Sequence, residues 1–82
     1  MTQHMKYVVI EGFGDEIYIF SPLVKHSQFV DMMGGLRCNN VLGAGFIDEN
    51  WNCYGESVTL DIKSRGIVDT NLVRMWQFSD AA

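Results

Sequence analysis

The feature that most constrains this chain is a series of short β-forming runs broken by glycine. "KYVVIEGF" and "DEIYIFS" are rich in β-branched and aromatic residues and meet at Gly12, Phe13, Gly14 and Asp15. Glycine supplies the positive φ such a loop needs, so the two runs read as a hairpin. Pro22 ends the second run, because proline lacks the N–H a ladder requires. The period then changes. Phe29, Val30, Met33 and Leu36 recur at three- and four-residue spacing with Gln28 and Asp31 opposite, which predicts an amphipathic helix. Ser27 is its candidate N-cap, and Gly34 and Gly35 close it.

The same order follows again. "VLGAGFID" and "NCYGESVTLDI" are the third and fourth expected strands, joined through Glu49, Asn50, Trp51 and Asn52. A second helix is expected from about Val68 to Phe78, capped by Asp69 or Thr70, with Val68, Leu72, Met75 and Trp76 as its buried stripe. The expectation is an α+β fold in ββαββα order: a four-stranded, mainly antiparallel sheet with two helices on one face. Residues 1–5 read as a polar leader and residues 6–80 as a single domain.

Eighty-two residues hold one domain, near the lower end of what a core stabilises without staples. A hydrophobic fraction of 48% argues for a folded chain over a disordered one. Ten acidic against six basic residues give a net charge of −4, which disfavours duplex nucleic acid as a partner. The same charge suits docking on a basic protein surface, and it also serves solubility. The opening "MTQHMKYVVI" lacks the pattern of an export signal, so Cys38 and Cys53 read as reduced thiols in a cytoplasmic protein. No apolar run approaches the roughly 20 residues that cross a membrane.

Alternation along the strands sorts the later residues by face. Leu42, Ala44 and Phe46 fall with Tyr54, Glu56, Val58, Leu60 and Ile62 on the side expected to meet the helices. Gly43, Gly45, Gly55, Ser57 and Thr59 fall on the other side, which is small, flat and nearly uncharged. A face of this kind lets another backbone come close. It is the expected interface of a homodimer or larger oligomer. The alternative is that the glycines relieve twist or lie beneath a bulky neighbour.

No catalytic constellation is visible, and neither a metal site nor a cofactor is expected. His4 and His26 lack metal-ligand spacing with the cysteines, His26 reads as a capping or surface residue, and Cys53 reads as a packing thiol. Glu56 falls on an otherwise apolar side, where a carboxylate needs a partner such as Arg37, Lys63 or Arg65, a ligand, or water. Lys63, Ser64 and Arg65, directly before a helix, form a candidate anion site to which Tyr54 adds an aromatic face. Asp48, Glu49 and Trp51, at a hairpin tip, combine acidic steering with an apolar anchor and are the candidate protein-binding residues.

The segment "GAGFIDENWNCYGESVTLDIKSRGIVDTNLV", following "KHSQFVDMMGG", resembles a family of short, mostly uncharacterised proteins encoded by bacteriophages and prophages. These pair an AGF strand with a CYG-E/K-S strand and a KSR turn before a final helix. The likeness runs from Met5 to Phe78. Many members follow KSR with a proline–acidic pair, whereas Gly66 and Ile67 stand here. The resemblance implies a non-catalytic phage protein that binds and inhibits a host defence component, as anti-CRISPR proteins do. Two other jobs are compatible with it: an oligomeric sponge for a nucleotide immune signal, and a virion or assembly accessory.

Overall fold

The computed structural model describes residues 4–11, 15–32 and 40–79. The chain is α+β. Strands β1 (Met5–Ile10) and β2 (Glu16–Phe20) form the first hairpin, and α1 (His26–Met32) follows. Then come β3 (Val41–Ile47), β4 (Cys53–Tyr54), β5 (Glu56–Ser57), β6 (Ile62–Lys63) and α2 (Ile67–Ser79). A four-stranded antiparallel sheet runs in the order β2-β1-β3-β4, and β5 and β6 form a separate two-stranded ribbon.

The expected long fourth strand is therefore three short ones. Gly55, at φ 79°, turns the chain out of the sheet directly after β4. Asp61, at φ 57°, completes the turn between β5 and β6; aspartate tolerates this left-handed region better than most residues. Ser57 Oγ accepts the Leu60 N–H at 3.1 Å and holds that turn closed.

The two helices lie on opposite faces of the sheet, which corrects the one-face expectation. Along β1, Tyr7 and Val9 pack with Ile47, Cys53 and Val73 of α2. Val8 and Ile10 pack with Phe20, Ala44 and Val30 of α1. Successive strand residues point to opposite faces, so the unbroken run "YVVI" belongs to a strand buried on both. All four of its residues are buried. One irregularity modifies the alternation. The register slips between Val9 and Ile10, which pair with Gly43 and Val41 and leave Leu42 as the extra residue of a bulge. Leu42 consequently packs on the α2 side although Ala44 faces α1.

The helix ends also differ from expectation. Gln28 Oε1 accepts the Lys25 N–H at 3.0 Å, a reach-back cap one turn into α1, while the Ser27 N–H donates to Thr59 Oγ1 at 3.2 Å. Gly34, Gly35 and Met33 lie outside the described residues. Among the described side chains of α2 the buried positions are Asp69, Thr70 and Val73 with Leu72 partly covered, whereas Val68 and Met75 are exposed; the Trp76 side chain lies outside those described. The stripe is rotated because two polar side chains at the start of α2 are drawn inward by partners on the sheet.

This arrangement sets a stability contrast within one helix. Val73→Ala is expected to cost about 2 kcal/mol, the loss of buried methyl groups plus a small cavity. Met75→Ala, at a site 68% exposed, should change stability by less than about 0.5 kcal/mol. Urea denaturation of the two variants measures both.

Candidate functional site

Gly43 and Gly45 do not form an open face. Both are buried beneath the segment that leads from β6 into α2. A Cβ at Gly43 would lie 2.5 Å from Asp69 Oδ2, and one at Gly45 would lie 2.3 Å from the Tyr54 carbonyl oxygen and 3.3 Å from Ser64 Cβ. The glycines are there so that a polar loop can lie directly on the sheet. Ser57 is buried as well, while Gly55 and Thr59 are exposed. The expected open face is thus corrected in part: Gly43, Gly45 and Ser57 are covered by the chain's own residues.

The loop that covers the glycines contains the expected anion site, and it is already filled. Asp69, fully buried, accepts the Arg65 backbone N–H on Oδ2 at 2.9 Å and Arg65 Nε on Oδ1 at 2.7 Å. The Tyr7 hydroxyl lies 2.5 Å from the same Oδ2 and 2.6 Å from Ser64 Oγ, which also accepts the Gly66 N–H at 3.0 Å. Arg65 Nη1 reaches Asp15 at 3.9 Å. The anion at the start of this helix is therefore the protein's own carboxylate, as the helix dipole favours. Burial, followed by the bond to Asp69, raises the Tyr7 phenol far above its ordinary range, so it remains a neutral donor. Lys63 stands apart from the network, exposed and directly across β5–β6 from Glu56. Glu56 is itself exposed to water, with Lys63 as its cross-strand neighbour.

A different constellation emerges on the α1 face. In the sheet register Phe20 pairs with Lys6, Lys6 with Phe46, and Phe46 with Tyr54. These four side chains form a row across all four strands. The Phe46 and Tyr54 ring centroids are 5.8 Å apart at a 31° tilt. Over the row opens a cleft of about 420 Å³, walled by Lys25 and His26 on one side and by the hairpin residues Glu56, Val58 and Thr59 on the other. Gly55 shapes it: a Cβ there would approach the Phe46 ring to 3.0 Å. Tyr54 and Glu56 of the expected ligand set line this cleft; Lys63, Ser64 and Arg65 do not. Lys6 and Lys25, which spacing alone did not single out, take their place. The only sequence signal was a lone lysine at the head of a strand whose register could not be foreseen.

Lys6 Nζ donates to the Val24 carbonyl at 3.0 Å, which draws its ammonium toward Lys25. At the other end a hydrogen bond joins the Tyr54 hydroxyl to His4 Nδ1, with the two rings edge to face. His26 is a core residue, correcting its reading as a surface or capping group. It is 4% exposed, packs edge-on against Phe20 and Phe46, and bonds the Gly45 carbonyl through Nε2 at 2.9 Å. Burial lowers its pKa, the nearby Lys6 charge acts in the same direction, and the Gly45 carbonyl opposes both.

The hairpin tip is a tight turn organised by Asp48. Its carboxylate accepts the N–H groups of Asn50 at 2.8 Å and Asn52 at 2.9 Å, and these bonds, that of Asn52 first, lower its pKa. Trp51 sits at φ 67°, a region few aromatic residues occupy, and is 39% exposed beside exposed Glu49. Asp48, Glu49 and Trp51 are thus neighbours at one end of the sheet, with Asp48 turned into the turn it holds.

Cys53 is buried under α2, where its backbone N–H donates to Thr70 Oγ1 at 2.9 Å. Burial pushes its thiol up to about 11, so it stays protonated at neutral pH and packs instead of reacting. Cys38 lies outside the described residues. Among the described residues no three metal-ligating side chains cluster, and no helix is long and apolar enough to cross a membrane. No protein-family model matches this chain, and no curated protein or solved structure matches it either.

Two measurements probe these sites. Asp69→Ala leaves the Arg65 guanidinium and the Tyr7 hydroxyl without their acceptor and should cost about 3–5 kcal/mol in urea unfolding. For His26 the folded-state pKa lies below its ordinary 6.5, so on acidification the unfolded chain takes up a proton before the folded one does. The stabilisation is full above pH 6.5 and is lost as the pH falls from there toward the folded value. An NMR titration should show the His26 ring still neutral at a pH where the urea-unfolded chain is half protonated.

Proposed function

We propose that this protein acts by binding and not by catalysis, and that the cleft on the α1 face holds a small planar anion. The observation that carries the reading is the cross-sheet row, in which Lys6 lies beside Phe46 and Tyr54 with Lys25 above. Aromatic faces offer stacking area to a flat ring, and two ammonium groups attract an acid group at its edge. The cleft volume falls within the range of small-molecule sites, about 300–1,000 Å³. In a chain of net charge −4, a local pair of lysines is where an anion would settle. In the phage setting that the resemblance implies, such a protein would work as a sponge that withholds a small signal.

A second reading has one observation in its favour. Trp51 is held outward in an unusual backbone conformation beside Glu49, which suits an anchor for a basic protein surface. That reading makes the protein an inhibitor of a host component, acting through the tip and independently of the cleft.

Titration with 2-naphthoate, a planar ring bearing one carboxylate, tests the first reading by amide NMR. Shifts should concentrate at Lys6, Lys25, Phe46, Tyr54 and Gly55. Lys25→Glu should weaken binding by about tenfold, the loss of one charge-assisted contact, and Trp51→Ala should leave it unchanged. Shifts confined to residues 48–52, or none at millimolar naphthoate, would overturn the cleft as the ligand site.

A further inference from the structure

We infer that the ligand class of this cleft is a free nucleoside monophosphate, with guanine as the preferred base; the inference rests on the cleft reading above. The cleft is graded from end to end. Lys6 spends one of its ammonium donors on the Val24 carbonyl and keeps two, and Lys25 is the residue next along the chain. That end is cationic. Phe46 and Tyr54 occupy the middle. Beyond Tyr54 the chain turns at Gly55 and places Glu56 on the rim. Lys6 and Tyr54 are two strands apart, roughly 10 Å at the backbone, which is about the length of a nucleotide.

Each part selects a chemical group. The lysines take a phosphate as point charges. The rings take the π-face of a base, which stacks on aromatic side chains whatever its sequence identity. A carboxylate only accepts hydrogen bonds, so Glu56 selects a ring edge that donates N–H groups and rejects a second anion. A simple aromatic acid uses two of these three parts, whereas a nucleoside monophosphate uses all of them. Guanine is preferred because its ring N–H and exocyclic amino group lie side by side, matching both oxygens of one carboxylate. The chain's net charge of −4 favours a single nucleotide over a strand, whose further phosphates would meet like charge.

Calorimetry with guanosine 5′-monophosphate, inosine 5′-monophosphate, ribose 5-phosphate and 2-naphthoate tests this. Guanosine 5′-monophosphate should bind at least about tenfold more tightly than ribose 5-phosphate, which lacks the base, and than inosine 5′-monophosphate, which lacks the amino group. Glu56→Gln, at an exposed position, should erase the guanosine–inosine difference. Lys25→Glu should weaken every one of these ligands. If naphthoate binds in the cleft but guanosine 5′-monophosphate binds no better than ribose 5-phosphate, the nucleotide inference falls and the cleft reading stands. A preference for guanosine over inosine 5′-monophosphate that survives Glu56→Gln overturns the role of Glu56 and the guanine assignment. If none of the four binds, both the inference and the cleft reading fall.

Discussion

The carboxylate of Asp69 is the constraint on which the rest of this small fold depends. Buried without access to water, it must be paired, and it draws two chain segments onto α2 to achieve that. Arg65 comes from the loop before α2, Tyr7 from the middle of the sheet, and Ser64 joins through the Tyr7 hydroxyl. A carboxylate at that depth also needs space above the strands, and Gly43 provides it. Paired buried charges add little net stability compared with a well-packed apolar alternative. What they fix here is position: α2 can start at one place on the sheet, because only there does the carboxylate find its donors.

The same constraint reaches the cleft on the opposite face. The Ser64 N–H donates to the Gly55 carbonyl at 2.9 Å, so the loop that holds Asp69 also holds the turn at which the chain leaves the sheet. That turn aims the β5–β6 ribbon toward the α1 side, where Thr59 receives the Ser27 N–H and the far wall of the cleft closes. Gly45 links the two faces. Its Cα side lies under the Tyr54 carbonyl and Ser64, while its own carbonyl accepts His26 Nε2 from α1. A change in the polar network would therefore be felt in the cleft through two short paths, one by way of Gly55 and one by way of Gly45.

Much of this was legible in the residues, and the failures have specific causes. The hairpins, both helices and the shared face of Phe46 and Tyr54 follow from period and turn chemistry. The side on which α2 packs does not. "YVVI" carried the signal, since an unbroken apolar run belongs to a strand covered on both faces, but a short run alone does not tell two-faced burial from one. The fourth strand was overextended because Gly55 and Asp61 are unremarkable as letters; only their positive φ shows that the chain folds back on itself. The role of Gly43 and Gly45 was legible as a demand for close approach and not as to which group would approach. Lys63, Ser64 and Arg65 read as a site for an external anion, whereas the structure sets Ser64 and Arg65 around the chain's own Asp69 and leaves Lys63 outside that network.

The charges explain why the cleft, and not the basic loop, is the proposed place for an external ligand. Arg65 is committed to Asp69, Arg74 Nη2 reaches Asn52 Oδ1 at 3.3 Å, and Lys63 faces Glu56 across the ribbon. Each of these cations meets a neighbour within the fold. Lys6 and Lys25 are placed otherwise, at the mouth of a cleft floored by aromatic rings, with the carbonyl of Val24 as the neutral partner of the first. A neutral acceptor orients an ammonium without cancelling its charge, so the field of Lys6 remains available to whatever enters. Because the floor is apolar and the walls exclude part of the solvent, that field is less screened there than on the open surface. The fold thus commits its buried carboxylate to its own architecture, while among the described residues no salt bridge engages Lys6 or Lys25 beside the cleft.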